Sequence, residues 1–453
     1  MDRSLRALNR FGLGARIGEQ ESAGDPAAWL RSQLRPEFAI LDGAADLPTT
    51  GEIASAVIRF GAAVRSDDAE ERSAARREIA AIEVRESSAS LARRVTSDAP
   101  FVERLVAFWS NHLCVSSLGK PQVAPFAGHY ERDVIRPHVL GRFEDMVLAS
   151  ARHPAMLLYL DNAQSIGPDS KAGRATTRSG RGRGLNENYA RELLELHTVG
   201  VNGGYEQRDV EQLARILTGW SVAGVRSRDG AEGPPGFLFR SAIHEPGDKT
   251  VMGVRYRESG EGEGKSAIRD LCAKPSTADF LAAKLACHFV SDSPPAAAVA
   301  AIATTWRATN GDLLEVSRTL IDLESAWDPG FRKFRTPQDW LVAVLRAVHA
   351  SEIPPRLGFV LRELRHPLWR PPAPKGFGDT TSEWADPDSL LNRAELSRSV
   401  ASRVPDTRVD PREFLGVTEV KDSGALSSML EDGSISRSER VALAIGGPAF
   451  QWR

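Results

Sequence analysis

Apolar residues recur at intervals of three and four over most of this chain, and strict apolar–polar alternation is confined to a few short runs. The first spacing places apolar side chains on one face of an α-helix, whereas alternation places them on one face of a strand. The pattern therefore predicts a mainly α fold: a large irregular helical domain with a small β-hairpin insertion. The chain of 453 residues could form one large domain or two closely packed ones, and we expect a single domain over residues 1–453.

Composition narrows the classes of partner. Hydrophobic residues make up 42% of the chain and charged residues 26%, which is ordinary globular usage and argues against a disordered protein. The 58 Lys and Arg residues nearly balance the 60 Asp and Glu residues, so no global field attracts nucleic acid or anionic lipid. Aromatic residues do not interleave with a basic stripe, and we expect no nucleic-acid partner. Any site for an anion must be local.

Three features bear on the compartment. The cysteines Cys114, Cys272 and Cys287 are too few and too unevenly spaced for a disulfide framework or a zinc site, and we interpret them as buried thiols. Residues 1–6 lead directly into an amphipathic pattern without an apolar stretch, which predicts no signal peptide and a cytoplasmic location on this sequence. No apolar run approaches ~18 residues, so we expect no transmembrane segment.

Several segments outside the most informative helix can be assigned. We expect a long solvated helix at 68–95, a helix at 101–113, another at 134–151 and a short one after His153 and Pro154. Residues 165–184 combine Gly, Ser, Thr and Pro with five basic residues and predict a mobile basic loop, either a solvated excursion or a lid over an anionic ligand. Residues 222–262 predict a small β-element insertion, with His244 and Glu245 in a turn.

The most informative helix is expected to begin at Asn186, a good N-cap, and to stop at Gly200. Regular helical spacing gives an apolar stripe formed by Tyr189, Leu193 and Leu196. It gives a neighbouring polar stripe formed by Asn188, Glu192 and Glu195, which Arg191 and His197 flank. If this helix is central, carboxylates so close to the apolar stripe need partners, because an unpaired buried charge costs several kcal/mol. The sequence thus predicts a polar pocket along this helix.

Two interpretations of Glu192 and Glu195 stay open. Carboxylates at positions i and i+3 can hold a divalent cation, or they can act as an acid–base pair whose pKa values are separated by proximity. The same spacing is typical of a salt-bridged surface, since Arg191 and Glu195 lie at i and i+4 and can pair. In the catalytic interpretation, Arg191 stabilises an anion.

Other candidates surround this helix. His112 ends an aromatic helix and could cap carbonyl groups or serve as a base or metal ligand. Asp161 marks a helix end at the base of the basic loop and is open to a structural or a site role. His288 lies in an apolar helix and is interpreted as a satisfied core histidine. Asp209 lies in the first turn of a helix from Gln207 to Trp220, where we expect a structural role.

The string from Asn186 to Gly200 carries a resemblance when taken together with other parts of the chain. Those parts are Asp209-Val210, Leu217 to Trp220, Phe108 to His112, His153 to Asn162, His288 to Val290 and Trp369 to Gly376. In order and spacing they are similar to a large bacterial family, the domain-of-unknown-function 1800 (DUF1800) family. The similarity covers nearly the whole chain.

The resemblance implies a helical fold but no established reaction. It also implies a frequent genetic partnership with a sulfatase-like secreted family, and a periplasmic or secreted location because members are commonly exported. The chain departs from the family pattern at Glu206, where members usually have Thr or Ser and where a normal helix cap is lost. It departs again at His244-Glu245, where members often have His-Asp, which weakens the expectation of a tight metal geometry there.

Two functional hypotheses remain. Phosphate-binding, zincin, serine-hydrolase and dinucleotide-binding motifs are absent from the sequence. The first hypothesis is a hydrolase or transferase in which Glu192, Glu195 and His112 act as bases or as ligands of a divalent metal, beside Arg191, Asn188 and Asp161. The second is a non-catalytic binding or assembly protein that acts with the sulfatase-like partner. The cofactor and the small-molecule ligand are not identified by the residues.

Overall fold

A computed structural model describes most of the chain. The described residues are 2–20, 24–41, 43, 46–178, 184–224, 235–350, 357–403, 409–418 and 424–453. Buried apolar side chains from Leu5 to Phe450 belong to one packed cluster.

Helices dominate the described residues. In the first half they are α1 Arg3–Arg6, α2 Pro26–Ser32, α3 Thr50–Ala63, α4 Ala69–Thr96, α5 Pro100–His112, α6 Ala124–Tyr130, α7 Arg136–His138, α8 Phe143–Arg152, α9 Pro154–Tyr159, α10 Lys171–Arg178, α11 Asn188–Glu192 and α12 Gln207–Leu217. In the second half they are α13 Glu261–Ala273, α14 Pro275–Phe289, α15 Ala296–Thr309, α16 Leu313–Asp322, α17 Glu324–Trp327, α18 Pro337–Ala347, α19 Leu357–Glu363, α20 Thr381–Trp384, α21 Pro387–Ala401, α22 Ala425–Glu431 and α23 Arg437–Gly446. Wider π-helical turns follow α1, α6 and α11, at Ala7–Phe11, Glu131–Ile135 and Leu193–His197.

The β structure of the described residues is small. Strands β1 Trp220–Ala223 and β2 Gly236–Phe239 form one antiparallel pair, and β3 Lys249–Val251 and β4 Val254–Tyr256 form another. The predicted mainly α fold with a small hairpin insertion is therefore confirmed. The insertion begins at Trp220 rather than at residue 222, and residues 225–234 lie outside the described part of the chain. Within that part, no helix is both long and apolar enough to cross a membrane.

Several helix predictions are confirmed at the level of whole elements. The solvated helix is α4, the aromatic helix is α5, and the short helix is α9, which has Pro154 in its first turn. The helix predicted at 134–151 is wrong in its middle, because the chain turns at Gly141 and α8 begins only at Phe143. The helix expected to reach Trp220 ends at Leu217, since Trp220 pairs with Phe239 in a strand.

The 165–184 segment differs from the expected loop. Residues Lys171–Arg178 form α10, and the side-chain hydroxyl of Ser170 accepts the amide of Gly173 at 3.0 Å within the first turn. Residues 179–183, which include Arg181 and Arg183, lie outside the described part of the chain. The segment is therefore helical over eight residues rather than a loop throughout.

The centre of the core is built from helices without a solvent-facing side. All residues of α18 except Gln338 are buried, and α5 buries ten of its residues, including Phe101, Leu105 and Trp109. Each such side chain contributes about 1.5–3 kcal/mol through removal of apolar surface from water. The terminus of α5 is fixed because the amide of Leu113 bonds the carbonyl of Trp109 at 3.0 Å. These two helices form rigid walls for the site described below.

A buried carboxylate joins the helices around this centre. Glu131, on the π-helical turn after α6, is 1% exposed and accepts five hydrogen bonds. The donors are Ser90 at 2.7 Å, Arg94 at 3.0 Å, Ser110 at 3.0 Å, Arg136 at 3.2 Å and the indole of Trp369 at 3.0 Å. Burial alone would raise the pKa of Glu131, but Arg94 and Arg136 outweigh burial and lower it to about 2. One charge thereby connects α4, α5, α7 and the Trp369 segment.

Replacing Glu131 with Gln should destabilise the fold by about 3–5 kcal/mol, because Arg94 loses its carboxylate partner inside the protein. The free energy of unfolding from urea denaturation at pH 7 measures the change. The matched control is Glu78→Gln, which removes an exposed pair with Arg59 and should change stability by less than ~1 kcal/mol. Equal effects of the two substitutions would contradict the role given to Glu131.

The same carboxylate predicts a pH dependence. Its pKa is lower in the folded protein than the ordinary value of 4.5, so its contribution is complete above 4.5 and is lost as the pH falls toward about 2. We expect the wild type to lose stability through this window more steeply than Glu131→Gln does. Parallel stability curves for both proteins between pH 5 and pH 2 would show that Glu131 is not the responsible group.

Candidate functional site

A cavity of about 270 Å³ lies between α5, α14, the first turns of α18 and the segment 366–379. Its volume is close to the lower end of small-molecule pockets. Polar side chains line it from these four elements, from residues next to them and from α4, namely Arg94, Ser110, Asn111, His112, Cys114, Lys284, Cys287, His288, Thr336, Gln338, Asp339, His366, Lys375 and Asp379. Convergent polar groups in an otherwise apolar hollow make this the candidate site.

His112 lines the cavity, and each nitrogen of its ring has a hydrogen-bonding partner. Its Nε2 lies 3.1 Å from the carbonyl oxygen of His197, and its Nδ1 lies 3.0 Å from Nζ of Lys284. A carbonyl can only accept, so Nε2 carries the proton and Nδ1 accepts from the lysine. Burial lowers the pKa of His112 well below its ordinary value, and Lys284 adds to this effect. His112 is therefore a neutral imidazole that orients Lys284.

Lys284 reaches the cavity from the middle of α14. It donates to His112 and lies over the ring of Phe280, with 5.6 Å from Nζ to the ring centre. Among the described residues, no carboxylate lies within ion-pair distance of this ammonium group. Burial lowers its pKa to about 8, partly offset by Cys114, Asp379 and Cys287. The amine thus holds a positive charge at neutral pH without a counter-charge.

One turn further along α14, His288 forms a dyad with Asp379. Its Nδ1 lies 2.8 Å from Oδ2 of Asp379, and Oδ1 of the same carboxylate lies 3.8 Å from Nζ of Lys333. Burial lowers the pKa of His288 to about 4, against the attraction of Asp379. The neutral ring must donate from Nδ1 to the carboxylate, so Nε2 carries a lone pair. In the described structure this buried Nε2 has no hydrogen-bond partner.

The segment that carries Asp379 is pinned to the end of α5. The side-chain amide of Asn111 donates to the carbonyl of Phe377 at 2.9 Å and accepts from the amide of Phe377 at 2.8 Å. Gly376 permits this approach, because it has φ +81° and an added Cβ would lie 2.5 Å from the carbonyl oxygen of Asn111. Asn111 and Gly376 together therefore position the part of the cavity wall that carries Asp379.

Two further groups complete the wall. His366 packs between aromatic rings, with centroid distances of 4.6 Å to Trp384 and 4.3 Å to Phe377, and burial lowers its pKa to about 3. Asp339 is paired with Arg104 at 3.3 Å and with Arg453 at 3.4 Å. Burial would raise the pKa of Asp339, but the two guanidinium groups hold it well below its ordinary value.

The polar stripe predicted on the 186–200 helix does not line this cavity. Glu192 and Glu195 are half-buried, and Glu195 accepts from the hydroxyl of Tyr205 at 3.2 Å. Burial raises the pKa of Glu192, with a further contribution from Glu195. The predicted apolar stripe is wrong at Leu196, which is half-exposed while Leu194 is buried. The π-helical turn Leu193–His197 inserts extra residues per turn and so rotates the later positions.

The other predicted site residues also lie outside the cavity. Arg191 pairs with Glu187 at 3.2 Å, not with Glu195. Asn188, which is the first helical residue instead of Asn186, donates to the carbonyl of Leu160 at 3.4 Å. Asp161 pairs with Lys120 at 2.7 Å. Of the predicted set, the structure places only His112 in the hollow.

The predicted metal ligands are not brought together. Glu192, Glu195 and His112 do not lie within ligand-sharing distance of one another, and a search of the described residues finds such a cluster only in His129, Asp133 and His153. The two histidines of this cluster are already satisfied. Nδ1 of His153 accepts the amide of Ala155, and its Nε2 lies 2.9 Å from Nδ1 of His129, whose Nε2 contacts Thr50. These bonds use all four ring nitrogens and indicate a structural pair.

Asp209 and His244 have structural contacts. The expected loss of a helix cap at Glu206 is wrong, because Glu206 is the N-cap of α12 in a capping box in which Asp209 accepts the amide of Glu206 at 2.8 Å. Asp209 also accepts the amide of Met252 at 2.7 Å. His244 donates from Nδ1 to the carbonyl of Thr218 at 2.7 Å and contacts Glu263 through Nε2 at 2.7 Å.

The three cysteines are all free thiols. Cys114 and Cys272 are buried as predicted, whereas the prediction of a buried thiol is wrong for Cys287, which is only half-buried.

The sequence interpretation missed the residues at the heart of the cavity. It took His288 for a satisfied core histidine, which is wrong because Nε2 has no partner in the described structure. The available signal was the pair Lys284 and His288, two polar residues four positions apart in a helix of Ala, Leu and Phe. Asp379 gave no signal because it lies 91 residues further along the chain.

Comparison with known families supports the sequence resemblance. The family model described as "Protein of unknown function (DUF1800)" matches residues 6–452. Searches among curated proteins and among solved structures each found no match.

Substituting Asn111 with Ala should loosen the cavity wall, because the amide and carbonyl of Phe377 both lose their partner. The expected destabilisation is about 1–3 kcal/mol. Amide hydrogen exchange should accelerate in the peptide covering residues 371–379. Asn202→Ala, at an exposed position, is the control and should leave this peptide unchanged. Unaltered exchange in Asn111→Ala would mean that other contacts hold the segment.

Proposed function

Because the chain belongs to the DUF1800 family, whose description assigns no activity, we propose a function from the cavity: the protein is a hydrolase or transferase with His288 as its general base. We assign to the His288–Asp379 dyad the acid–base role that the sequence suggests for Glu192 and Glu195. The observation that carries the proposal is a histidine that lines the cavity, is fixed by a carboxylate at Nδ1 and has a buried Nε2 without a partner in the described structure.

The chemistry follows from the tautomer. Asp379 holds the proton on Nδ1, so the Nε2 lone pair can take a proton from a water molecule or from an acceptor hydroxyl. Proton transfer to water gives hydrolysis, and proton transfer to the hydroxyl of a second substrate gives group transfer. The charge that develops on the imidazole is then stabilised by Asp379, whose carboxylate is itself kept ionised by His288 and Lys333 against the effect of burial.

Low polarity around the dyad suits this role. Phe108 lies 5.2 Å from the ring of His288, centre to centre, and Phe289 lies 4.9 Å away. Such surroundings keep the imidazole neutral at pH 7, which is the form a base needs. They also strengthen each electrostatic interaction inside the cavity.

The alternative is a non-catalytic binding or assembly protein that acts with a sulfatase-like partner. The observation in its favour is the extent of mutual pairing among buried charges, as in the Glu131 network and in Asp339 with Arg104 and Arg453. Such satisfied networks fix helix packing without any reaction. This alternative predicts that His288 can be replaced without loss of function.

Turnover of chromogenic probes tests the proposal. We expect the wild type to hydrolyse 4-nitrophenyl acetate, if the reaction is acyl transfer, or 4-nitrophenyl phosphate, if it is phosphoryl transfer. His288→Gln should lower kcat by about 10²- to 10⁴-fold, because the base is lost. Asp379→Asn should also lower kcat strongly, because the amide no longer fixes the Nδ1–H tautomer. Steady-state kinetics with purified protein measures both effects.

His138→Gln serves as the matched control, since His138 bonds only the Val134 carbonyl of its own helical turn and lies outside the cavity. The pH dependence gives a second readout. The base is active only when neutral, so kcat of the wild type should fall as the pH drops through about 4. Retention of kcat in His288→Gln, or no hydrolysis of either probe by the wild type, would favour the assembly alternative.

A further inference from the structure

The charges that line the cavity are unevenly paired. Both of its carboxylates already have partners: Asp339 pairs with Arg104 and Arg453, and Asp379 accepts a hydrogen bond from the neutral His288 and pairs with Lys333. The guanidinium group of Arg94 is likewise occupied, by Glu131 at 3.0 Å and by the side chain of Gln338 at 3.1 Å. These groups therefore offer no free charge to a ligand.

Two cations in the lining differ from this pattern. Lys284, inside the cavity, donates only to the neutral His112, and Lys375 is exposed at the rim with no carboxylate partner among the described residues. The half-buried ammonium group of Lys284 has no carboxylate partner among the described residues, so an anionic group bound beside it would complete the pairing.

Apolar side chains form one part of the lining, beside its uncharged polar groups. They include Leu13, Ala107, Phe108, Val342, Leu368 and Phe377. A surface of this kind binds hydrocarbon or aromatic groups and repels a second charge. The cavity of about 270 Å³ limits the ligand to the size of a small metabolite.

We propose that the substrate of this site is a small amphipathic anion, whose carboxylate or phosphate head pairs with Lys284 and whose apolar body lies against Phe108, Val342 and Leu368. This inference rests on the proposed function, because it places the bond to be cleaved or transferred beside His288, one helical turn from Lys284. It deepens that function by assigning Lys284 as the anchor that selects the substrate class.

The anchor also sets a pH range for binding. The groups that face Lys284 are His112, His197, Cys114, Cys287 and Asp379. Burial keeps both histidines neutral and raises the pKa of both thiols, while His288 and Lys333 keep Asp379 ionised. Between pH 7 and pH 9, Lys284 is the member of this group that loses a proton, since its pKa is about 8. Anion affinity should be full below pH 8 and decline above it.

Titration calorimetry of the full chain tests the anchor without requiring turnover. The probes are 3-phenylpropionate, phenyl phosphate and the neutral isostere 3-phenylpropanamide. We expect at least one anion to bind and the amide to bind about 10- to 100-fold more weakly, as for the loss of a charged hydrogen bond. The two anions distinguish a carboxylate head from a phosphate head. Above pH 8 the affinity for the anion should fall by about tenfold per pH unit.

Lys284→Met keeps the apolar stem, removes the ammonium group and should reduce affinity for the anion to that for the amide. Lys274→Met is the matched control, because Lys274 precedes the same helix and lies outside the cavity. Circular dichroism establishes that both variants are folded. Equal binding of anion and amide, unchanged affinity in Lys284→Met, or no binding of either anion would each overturn the inference.

The binding experiment can fail or succeed independently of the turnover experiment that tests the proposed function. His288→Gln should lose turnover yet keep its affinity for the anion, since the hydrogen bond of His288 goes to Asp379 and that of Lys284 goes to His112. Anion binding without any hydrolysis would support the anchor and reject the enzyme. Hydrolysis of 4-nitrophenyl acetate with unselective binding would support the enzyme and reject the anchor.

Discussion

The buried carboxylate of Glu131 is the interaction on which the other features depend. It lies on the turn after α6 and is the common acceptor for donors from α4, α5, α7 and the Trp369 segment. A buried charge of this kind is stable only when every donor is in place, so it selects one packing of these elements. Three of its donors, Arg94, Ser110 and Trp369, also line the cavity. The geometry of the site is therefore tied to the core rather than left to a surface loop.

His112, at the end of α5, connects the core to the ammonium group of Lys284. The carbonyl of His197, at the end of a π-helical turn, fixes the proton of His112 on Nε2, and this leaves Nδ1 as the acceptor for Lys284. Thr198 stabilises the same turn, since its hydroxyl donates to the carbonyl of Leu193 at 2.6 Å. The helix that carries the family signature thus contributes through its backbone. Its carboxylates Glu192 and Glu195 are half-exposed and are not part of the cavity lining.

Sequence reasoning recovered what depends on local periodicity. The helices α4, α5 and α9 and the hairpin insertion follow from spacing and turn residues, and each is confirmed. The polar stripe of Asn188, Glu192 and Glu195 was assigned to a pocket by assuming regular helical geometry, and the π-helical turn invalidates that assumption beyond Glu192. The dyad could not be found by spacing, since His288 and Asp379 meet only through the packing of α14 against a distant segment. Local patterns determine the elements, whereas the site arises where separate elements meet.

The unpartnered Nε2 of His288 supports the proposed site because the same residue lines the cavity and is paired with Asp379. A buried polar atom without a partner costs about 1–3 kcal/mol, and an apolar side chain at this position of α14 would remove that cost. Phe108 and Phe289 flank the ring, so an apolar replacement would pack against compatible neighbours. A protein that needed only a stable helix here would gain from such a replacement. An imidazole that is held by Asp379, kept neutral by burial and lacking a partner at Nε2 is instead an arrangement that becomes complete only when a substrate or water supplies the missing hydrogen bond.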